Sequence, residues 1–137
     1  MFDIENSLGF LLAKSYQRGY ALFKAPLENY HLTPKQFSLL AFLWKQDGLS
    51  QVELSEKCQI DRTTIGGLID RLQTRGYVRR EPHPEDRRAF KIRLTDTGRN
   101  LEKELLSIAR EVTGIFTDGL TPVETETLRQ LLEKLRR

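Results

Sequence analysis

The stretch from Asp61 to Arg99 changes its hydrophobic period halfway along, and few folds accommodate that change. In its first part Ile65, Leu68, Ile69 and Leu72 recur at i, i+3, i+4 and i+7, one apolar stripe along a helix. Asp61 stands where an N-cap carboxylate would accept from the free amides of the first turn. Gly76, in Thr74-Arg75-Gly76-Tyr77, is placed to end the helix in the left-handed conformation. The face opposite the stripe holds Thr63, Gly67 and Asp70, with Thr64, Gly66 and Arg71 beside it. Beyond Gly76 the period falls to two. Phe90, Ile92 and Leu94 alternate with Lys91 and Arg93, the pattern of a half-buried strand, and Tyr77 to Glu81 supplies an antiparallel partner. Between the strands Pro82-His83-Pro84-Glu85-Asp86-Arg87-Arg88 forms a turn with two adjacent arginines near its end. A helix with a small, polar outer face followed by a hairpin with a basic tip is a winged helix.

Charge is distributed to match. Asp61 to Arg99 carries ten Lys/Arg and six Asp/Glu, 10 − 6 = +4, while the remainder carries twelve and thirteen, −1, and together they give the net +3. Positive charge is thus concentrated where a nucleic acid would dock. Gly66-Gly67 is costly inside a helix, roughly 0.5 to 1 kcal/mol per residue relative to alanine. Gly67 points away from the apolar stripe, so close approach of the helix backbone to a groove accounts for it; Gly66 fits either that role or tight helix packing.

The rest of the chain frames this stretch with helices. Asp3 to about Lys24 predicts a long helix with Ile4, Leu8, Leu11, Leu12, Ser15, Gly19, Leu22 and Phe23 on one stripe, leaving at Pro26. Thr33-Pro34-Lys35-Gln36 opens a second, nearly all-apolar helix through Trp44, and Ser50-Gln51-Val52-Glu53 opens a short third one; both are capping boxes. The third helix, the turn at Cys58-Gln59-Ile60 and the Asp61 helix together make a helix-turn-helix. Thr95-Asp96-Thr97-Gly98 caps a long helix to about Phe116, and Thr121-Pro122-Val123-Glu124 caps a last helix with Leu128, Leu131, Leu132 and Leu135 on one side. A winged-helix core does not need the first and the last two helices, so their apolar stripes require another surface, and a homodimer supplies it economically.

With 137 residues the chain suffices for one domain with a real core. It holds one cysteine, Cys58, which excludes an internal disulfide framework and takes an apolar position of the motif, where a buried thiol is inert. No apolar run approaches a membrane span, and Met-Phe-Asp-Ile-Glu is no signal peptide, so a cytoplasmic protein without membrane partners is expected. The only histidines, His31 and His83, belong to no metal-spacing motif, and there is no phosphate-binding glycine loop or nucleophile elbow. No enzyme and no cofactor is expected.

The runs Asp61-Arg-Thr-Thr, Leu68-Ile-Asp-Arg-Leu72, Arg75-Gly-Tyr-Val-Arg79, Pro84-Glu-Asp-Arg-Arg-Ala89 and Leu94-Thr-Asp-Thr-Gly98 resemble the MarR family of bacterial transcription regulators (multiple antibiotic resistance regulators). The resemblance spans about Leu32 to Leu101 by motif and the rest by helix layout. It departs at Cys58-Gln59, where the family commonly has Leu-Gly. It implies a mainly α fold with a small β-hairpin wing: one domain, with a winged helix-turn-helix lobe over 32–99 flanked by dimerisation helices in 1–31 and 100–137. It implies a homodimeric regulator, more often a repressor, binding a palindromic operator in double-stranded DNA with half-sites about one helical turn apart. The Asp61 helix would enter the major groove with Arg62, Thr63, Thr64, Gly67, Asp70 and Arg71, and Ser50 and Gln51 would meet phosphates. The family's Asp-x-Arg wing pattern falls on Asp86 and Arg88; Arg88 is the expected minor-groove contact and Arg87 its close alternative. Family members often bind small aromatic or phenolic effectors. By position Tyr16, Tyr20, Phe23, His31 and Trp44 would line such a pocket, although aromatics at helical spacing serve the core more often. Relatives that sense oxidants usually do so through a first-helix cysteine, which this chain lacks. The alternative is a winged-helix protein-interaction module that binds no DNA.

Overall fold

The computed structural model describes residues 1–86 and 89–137. Helices occupy Leu8–Glu28 (α1), Pro34–Lys45 (α2), Gln51–Cys58 (α3), Arg62–Thr74 (α4), Asp96–Asn100 (α5), Glu102–Phe116 (α6) and Pro122–Leu135 (α7). Strands Val78–Pro82 (β1) and Phe90–Leu94 (β2) form an antiparallel hairpin, with Val78 opposite Leu94 and Pro82 opposite Phe90. The fold is the mainly helical winged helix-turn-helix that the change of period predicts. The chain divides into two compact units, residues 24–106 and residues 1–23 with 107–137. Among the described residues no helix is long and apolar enough to cross a membrane.

The 24–106 unit holds the helix-turn-helix and the hairpin. The α4 stripe Ile65, Leu68, Ile69 and Leu72 is buried, as are Leu39, Leu40, Leu43, Leu54, Val78, Ile92 and Leu94 of the same unit. Each such side chain contributes about 1.5 to 3 kcal/mol on burial, so the outer face of α4 is free to carry polar residues without loss of anchorage. The expected caps form. Thr33 Oγ1 accepts from the Gln36 amide at 3.3 Å, Ser50 Oγ from the Glu53 amide at 3.0 Å, and Asp61 Oδ1 from the Thr64 amide at 2.8 Å. Gly76 ends α4 at φ +77°. At the Cys58-Gln59 departure, Gln59 itself takes the left-handed conformation at φ 54°, and the Ile60 amide closes the turn on the Ser55 carbonyl at 3.1 Å. The turn keeps the shape that glycine would give it, at the cost of a side chain held at positive φ.

Some boundaries differ from expectation. Asp3 caps a short 3₁₀ turn at Ile4–Asn6, and α1 begins only at Leu8. It also runs past Pro26, which sits in its last turn, where the fully buried Leu27 fixes the chain. The first strand starts one residue later than predicted. Tyr77 is instead packed inside, its hydroxyl donating to the Tyr30 carbonyl at 2.8 Å. The long helix expected after Thr95 is interrupted at Leu101. Gly98 lies so close to the Tyr77 carbonyl that a Cβ would collide with it, and the Gly98 carbonyl accepts from Trp44 Nε1 at 2.9 Å. The first turn is thus pinned to the hairpin and to α2 before the helix proper begins. Phe90, expected on the buried face of its strand, is exposed.

A third extended segment joins the hairpin. The Ile92 amide donates to the Leu49 carbonyl at 2.9 Å, the Gly48 amide to the Ile92 carbonyl at 3.1 Å, and Ser50 bridges Lys91. The start of α3 is therefore fastened to β2 by backbone bonds.

In the other unit, Gly19 allows Phe116 to approach: a Cβ there would lie 2.6 Å from the ring. The Arg18 guanidinium stands over the same ring, 5.4 Å from its centroid, and donates to the Phe116 carbonyl at 2.9 Å. This cation–π contact and helix C-terminal bond hold the end of α6. Thr121 and Glu124 form the last capping box. Leu8, Leu11 and Leu12 of α1 and Leu128, Leu131, Leu132 and Leu135 of α7 are all exposed.

Several capping and pairing carboxylates are held below the usual range. Asp61 is lowered by the Thr64 amide and then its hydroxyl, Glu53 by the Ser50 amide and then its hydroxyl, and Glu81 by Arg79 and then Arg93. A depressed folded-state pKa means stability that is fully present above the ordinary carboxylate pKa and lost as pH falls through the depressed value. The melting temperature is accordingly expected to hold at about pH 6 and fall towards about pH 3, less so in Asp61→Asn. Equal pH profiles for wild type and this variant would show that the Asp61 cap carries none of the acid sensitivity.

Candidate nucleic-acid interface

A cleft of about 920 Å³ opens between the N-termini of α3 and α4 and the hairpin, lined by Ser50, Gln51, Val52, Arg62, Arg80, His83, Glu85, Asp86, Ala89 and Phe90. Ser50 reaches it from the α3 cap. Its Oγ accepts from the Glu53 amide at 3.0 Å, and its amide donates to Glu53 Oε1 at 3.1 Å. Gln51 follows on the first turn of α3, where free amide dipoles favour an anion. Its side-chain nitrogen lies near Gly66, 3.3 Å from where a Cβ would stand. Gly66 thus serves the packing of α3 on α4. Gly67 has open space on its Cβ side, as a residue facing a groove requires.

The other expected α4 residues separate. Arg62 and Thr63 are exposed at the first turn, and Arg62 lines the cleft. The Thr64 hydroxyl donates to Asp61 Oδ2 at 2.8 Å, making it part of the cap. Arg71 turns to a different hollow, shared with His31, Thr33, Gln36, Thr74 and Arg75. Asp70 is engaged by Arg80, whose Nη1 approaches Oδ1 at 2.5 Å while Nη2 donates to the Gly66 carbonyl at 3.1 Å. On the wing, Asp86 lines the cleft. Arg87 and Arg88, the expected minor-groove contacts, lie outside the described residues. Within the described hairpin, Glu81 stands between Arg79 at 2.9 Å and Arg93 at 3.1 Å.

Arg80, His83 and Phe90 also line the cleft, where the sequence pattern marks them only as strand and loop residues. Arg80 was legible only as one of two adjacent arginines in a strand, with nothing to show which would turn back onto α4. His83 accepts the Glu85 amide on Nδ1 at 3.1 Å and its own amide bonds the Ala89 carbonyl at 3.1 Å, so it shapes the loop.

The residues expected around an effector fall in both units. In the 1–23/107–137 unit Tyr16 and Tyr20 have ring centroids 6.0 Å apart, Tyr16 is well exposed, and Phe23 is half-buried. In the 24–106 unit His31, at φ 57°, lines the hollow with Arg71 and Arg75. Trp44 packs edge-on against Phe37 with its N–H committed to Gly98, a scaffold arrangement. Cys58 is half-buried, and burial pushes its thiol up, away from the reactive thiolate. Among the described residues there is no cluster of side chains able to hold a metal ion.

The sequence model of the MarR family matches residues 32–90. The HTH-type transcriptional repressor NicR of Pseudomonas putida is 33% identical over 98% of this chain and 85% of its own length. The structure of Bordetella bronchiseptica BpsR, whose DNA binding is regulated by 6-hydroxynicotinic acid, is similar with a TM-score of 0.93 and 32% identity, covering 99% of this chain and 97% of that one. A mutant of Escherichia coli MarR complexed with operator DNA gives a TM-score of 0.87 and 28% identity, covering 93% and 92%.

Proposed function

This chain belongs to the MarR family, and from that premise we propose that it is a homodimeric, sequence-specific DNA-binding transcription regulator, a repressor released by a small aromatic acid. The carrying observation is the cleft between α3, α4 and the hairpin, with Ser50, Gln51, Arg62 and Arg80 on its walls in the most positive part of the chain. A DNA backbone strand passing between major-groove helix and minor-groove wing would run along it. Ser50 and Gln51 bind its phosphates; Arg62, Thr63 and the open backbone at Gly67 approach base edges; Arg88 or Arg87 enters the minor groove. A two-fold pair of such lobes reads a palindrome. The exposed leucines of α1 and α7 supply a self-association surface.

The effector class rests on similarity to BpsR rather than on any cavity. A planar heteroaromatic carboxylate of the 6-hydroxynicotinate type is the reading it supports.

Fluorescence anisotropy with duplexes selected from random DNA by the wild-type protein tests both parts. The protein is expected to enrich a palindrome and bind it at least a thousandfold more tightly than unrelated duplex, on the order of the usual ratio for specific regulators. Addition of 6-hydroxynicotinate is expected to release it. No enrichment at low salt would overturn the DNA reading, and retention of the complex at saturating ligand would overturn the effector class.

A further inference from the structure

We propose that Asp70 and Arg80 form a bracket that sets the hairpin's position against α4, and that Asp70 acts on DNA through this bracket rather than by touching a base. The proposal rests on the DNA-binding reading above and assigns two positioning residues within it.

Three bonds tie the middle of β1 to α4. Arg80 Nη1 meets Asp70 Oδ1 at 2.5 Å, Nη2 donates to the Gly66 carbonyl at 3.1 Å, and the Arg80 amide donates to Gln73 Oε1 at 3.2 Å. The Arg80 side chain is 21% exposed, whereas Asp70 is 66% exposed. The guanidinium is thus half-sunk between the two elements, and its planar fork addresses a carboxylate and a helix carbonyl at once, which a lysine ammonium cannot do with the same rigidity. Gln51 of α3 also lies against α4 at Gly66, its side-chain nitrogen 3.3 Å from where a Cβ would stand. The bracket therefore closes on the spot where α3, α4 and the hairpin meet, beside the cleft that Arg80 lines. A helix in the major groove and a wing over the minor groove can bind together only if the angle between them is fixed, and apolar contacts beneath the hairpin do not by themselves fix it at the outer surface.

The proposal makes a prediction of unusual sign. Removing a carboxylate from a surface that faces phosphates raises its positive charge, so electrostatics alone has Asp70→Asn bind DNA more tightly. A broken bracket has it bind more weakly, by roughly 2- to 150-fold, the range of couplings inside one hydrogen-bonded network. Arg80→Lys, which keeps the charge and loses the fork, is expected to weaken binding similarly. The double variant is expected to be no weaker than the worse single one, because both remove the same bracket. Melting temperatures are expected to move little, since exposed ion pairs contribute little to stability.

The test is anisotropy of the purified dimeric protein on the selected duplex, with hydroxyl-radical footprinting of the same complexes. The expected result is weakened binding by Asp70→Asn, loss of protection in the minor groove flanking each half-site, and retained protection in the major groove. Unchanged or tighter binding would overturn the proposal, as would strictly additive losses. Relaxed discrimination at a single base pair with the wing footprint intact would overturn it in favour of direct reading by Asp70. Failure of the wild type to bind any duplex would instead sink the DNA reading itself, so the two failures are distinguishable.

Discussion

Raising the salt from about 50 to about 200 mM is expected to weaken operator binding by roughly 10³- to 10⁵-fold. A dimer covering two half-sites neutralises on the order of six to ten phosphates, and each releases a condensed counterion. The cations available per lobe are Arg62 at the start of α4 and the arginines of the hairpin, while Ser50 and Gln51 at the start of α3 add neutral hydrogen bonds. Three carboxylates near the interface are partnered, Asp61 in a cap, Asp70 by Arg80, and Glu81 between Arg79 and Arg93, and so subtract less from this field, while Glu85 and Asp86 also line the cleft. The same titration weighs the wing. Arg87→Ala/Arg88→Ala is expected to cost about 1 to 3 kcal/mol per lobe, the scale of one good arginine contact, and to flatten the slope of log affinity against log salt by about one per lost contact. A flat dependence in wild type would be incompatible with a phosphate-bound cleft. Equal affinities for wild type and the double variant would remove the wing from the interface.

The parts of this site that were legible in the sequence are those decided within one helical turn. Asp61, Ser50 and Thr33 each announce a cap by residue type and by what stands three positions later, and Gly76 announces a left-handed stop; all four are where the pattern puts them. The stripe Ile65, Leu68, Ile69 and Leu72 identified the buried face of α4, and by subtraction the outer face. What escaped depends on partners far away in sequence. The Leu49 segment on β2 is too short to show alternation. The interruption at Leu101 follows from Trp44 and Tyr77 closing on Gly98. The Arg80 bracket spans ten residues and two kinds of secondary structure. Pro26 misled for a different reason: it forfeits one hydrogen bond in the last turn of α1, and the burial of Leu27 outweighs that loss. Within α4, periodicity placed Arg71 near the groove face, but it could not show the hollow formed with His31 and Thr33, which belong to segments forty residues earlier.

Replacing Leu128 and Leu132 together by glutamate is expected to convert the protein to a monomer at about micromolar concentration and to weaken operator binding in parallel. The two side chains are 41% and 39% exposed, and they stand one turn apart on α7 with Leu131 and Leu135 beside them, 51% and 63% exposed. They border a groove of about 550 Å³ with Leu12 and Phe116. So much leucine on one face is hard to account for in a solvated helix and natural in a two-fold interface. Buried against a second copy, each leucine would add about 1.5 to 3 kcal/mol, and an unpaired carboxylate in its place would reverse the sign. Because both residues are exposed within the protomer, the helices and the hairpin are expected to fold unchanged, which far-UV circular dichroism checks. The loss in DNA binding follows from linkage rather than from any contact. Two lobes held together bind the second half-site at an effective concentration in the millimolar range, and separation forfeits about 10²- to 10⁴-fold in apparent affinity. Sedimentation of the wild type and the variant, with titration of each on the selected duplex, measures both quantities. A folded wild-type monomer at that concentration, or a variant that dimerises normally, would place the self-association surface elsewhere. A monomeric variant that kept full operator affinity would show that the two lobes do not bind as a pair.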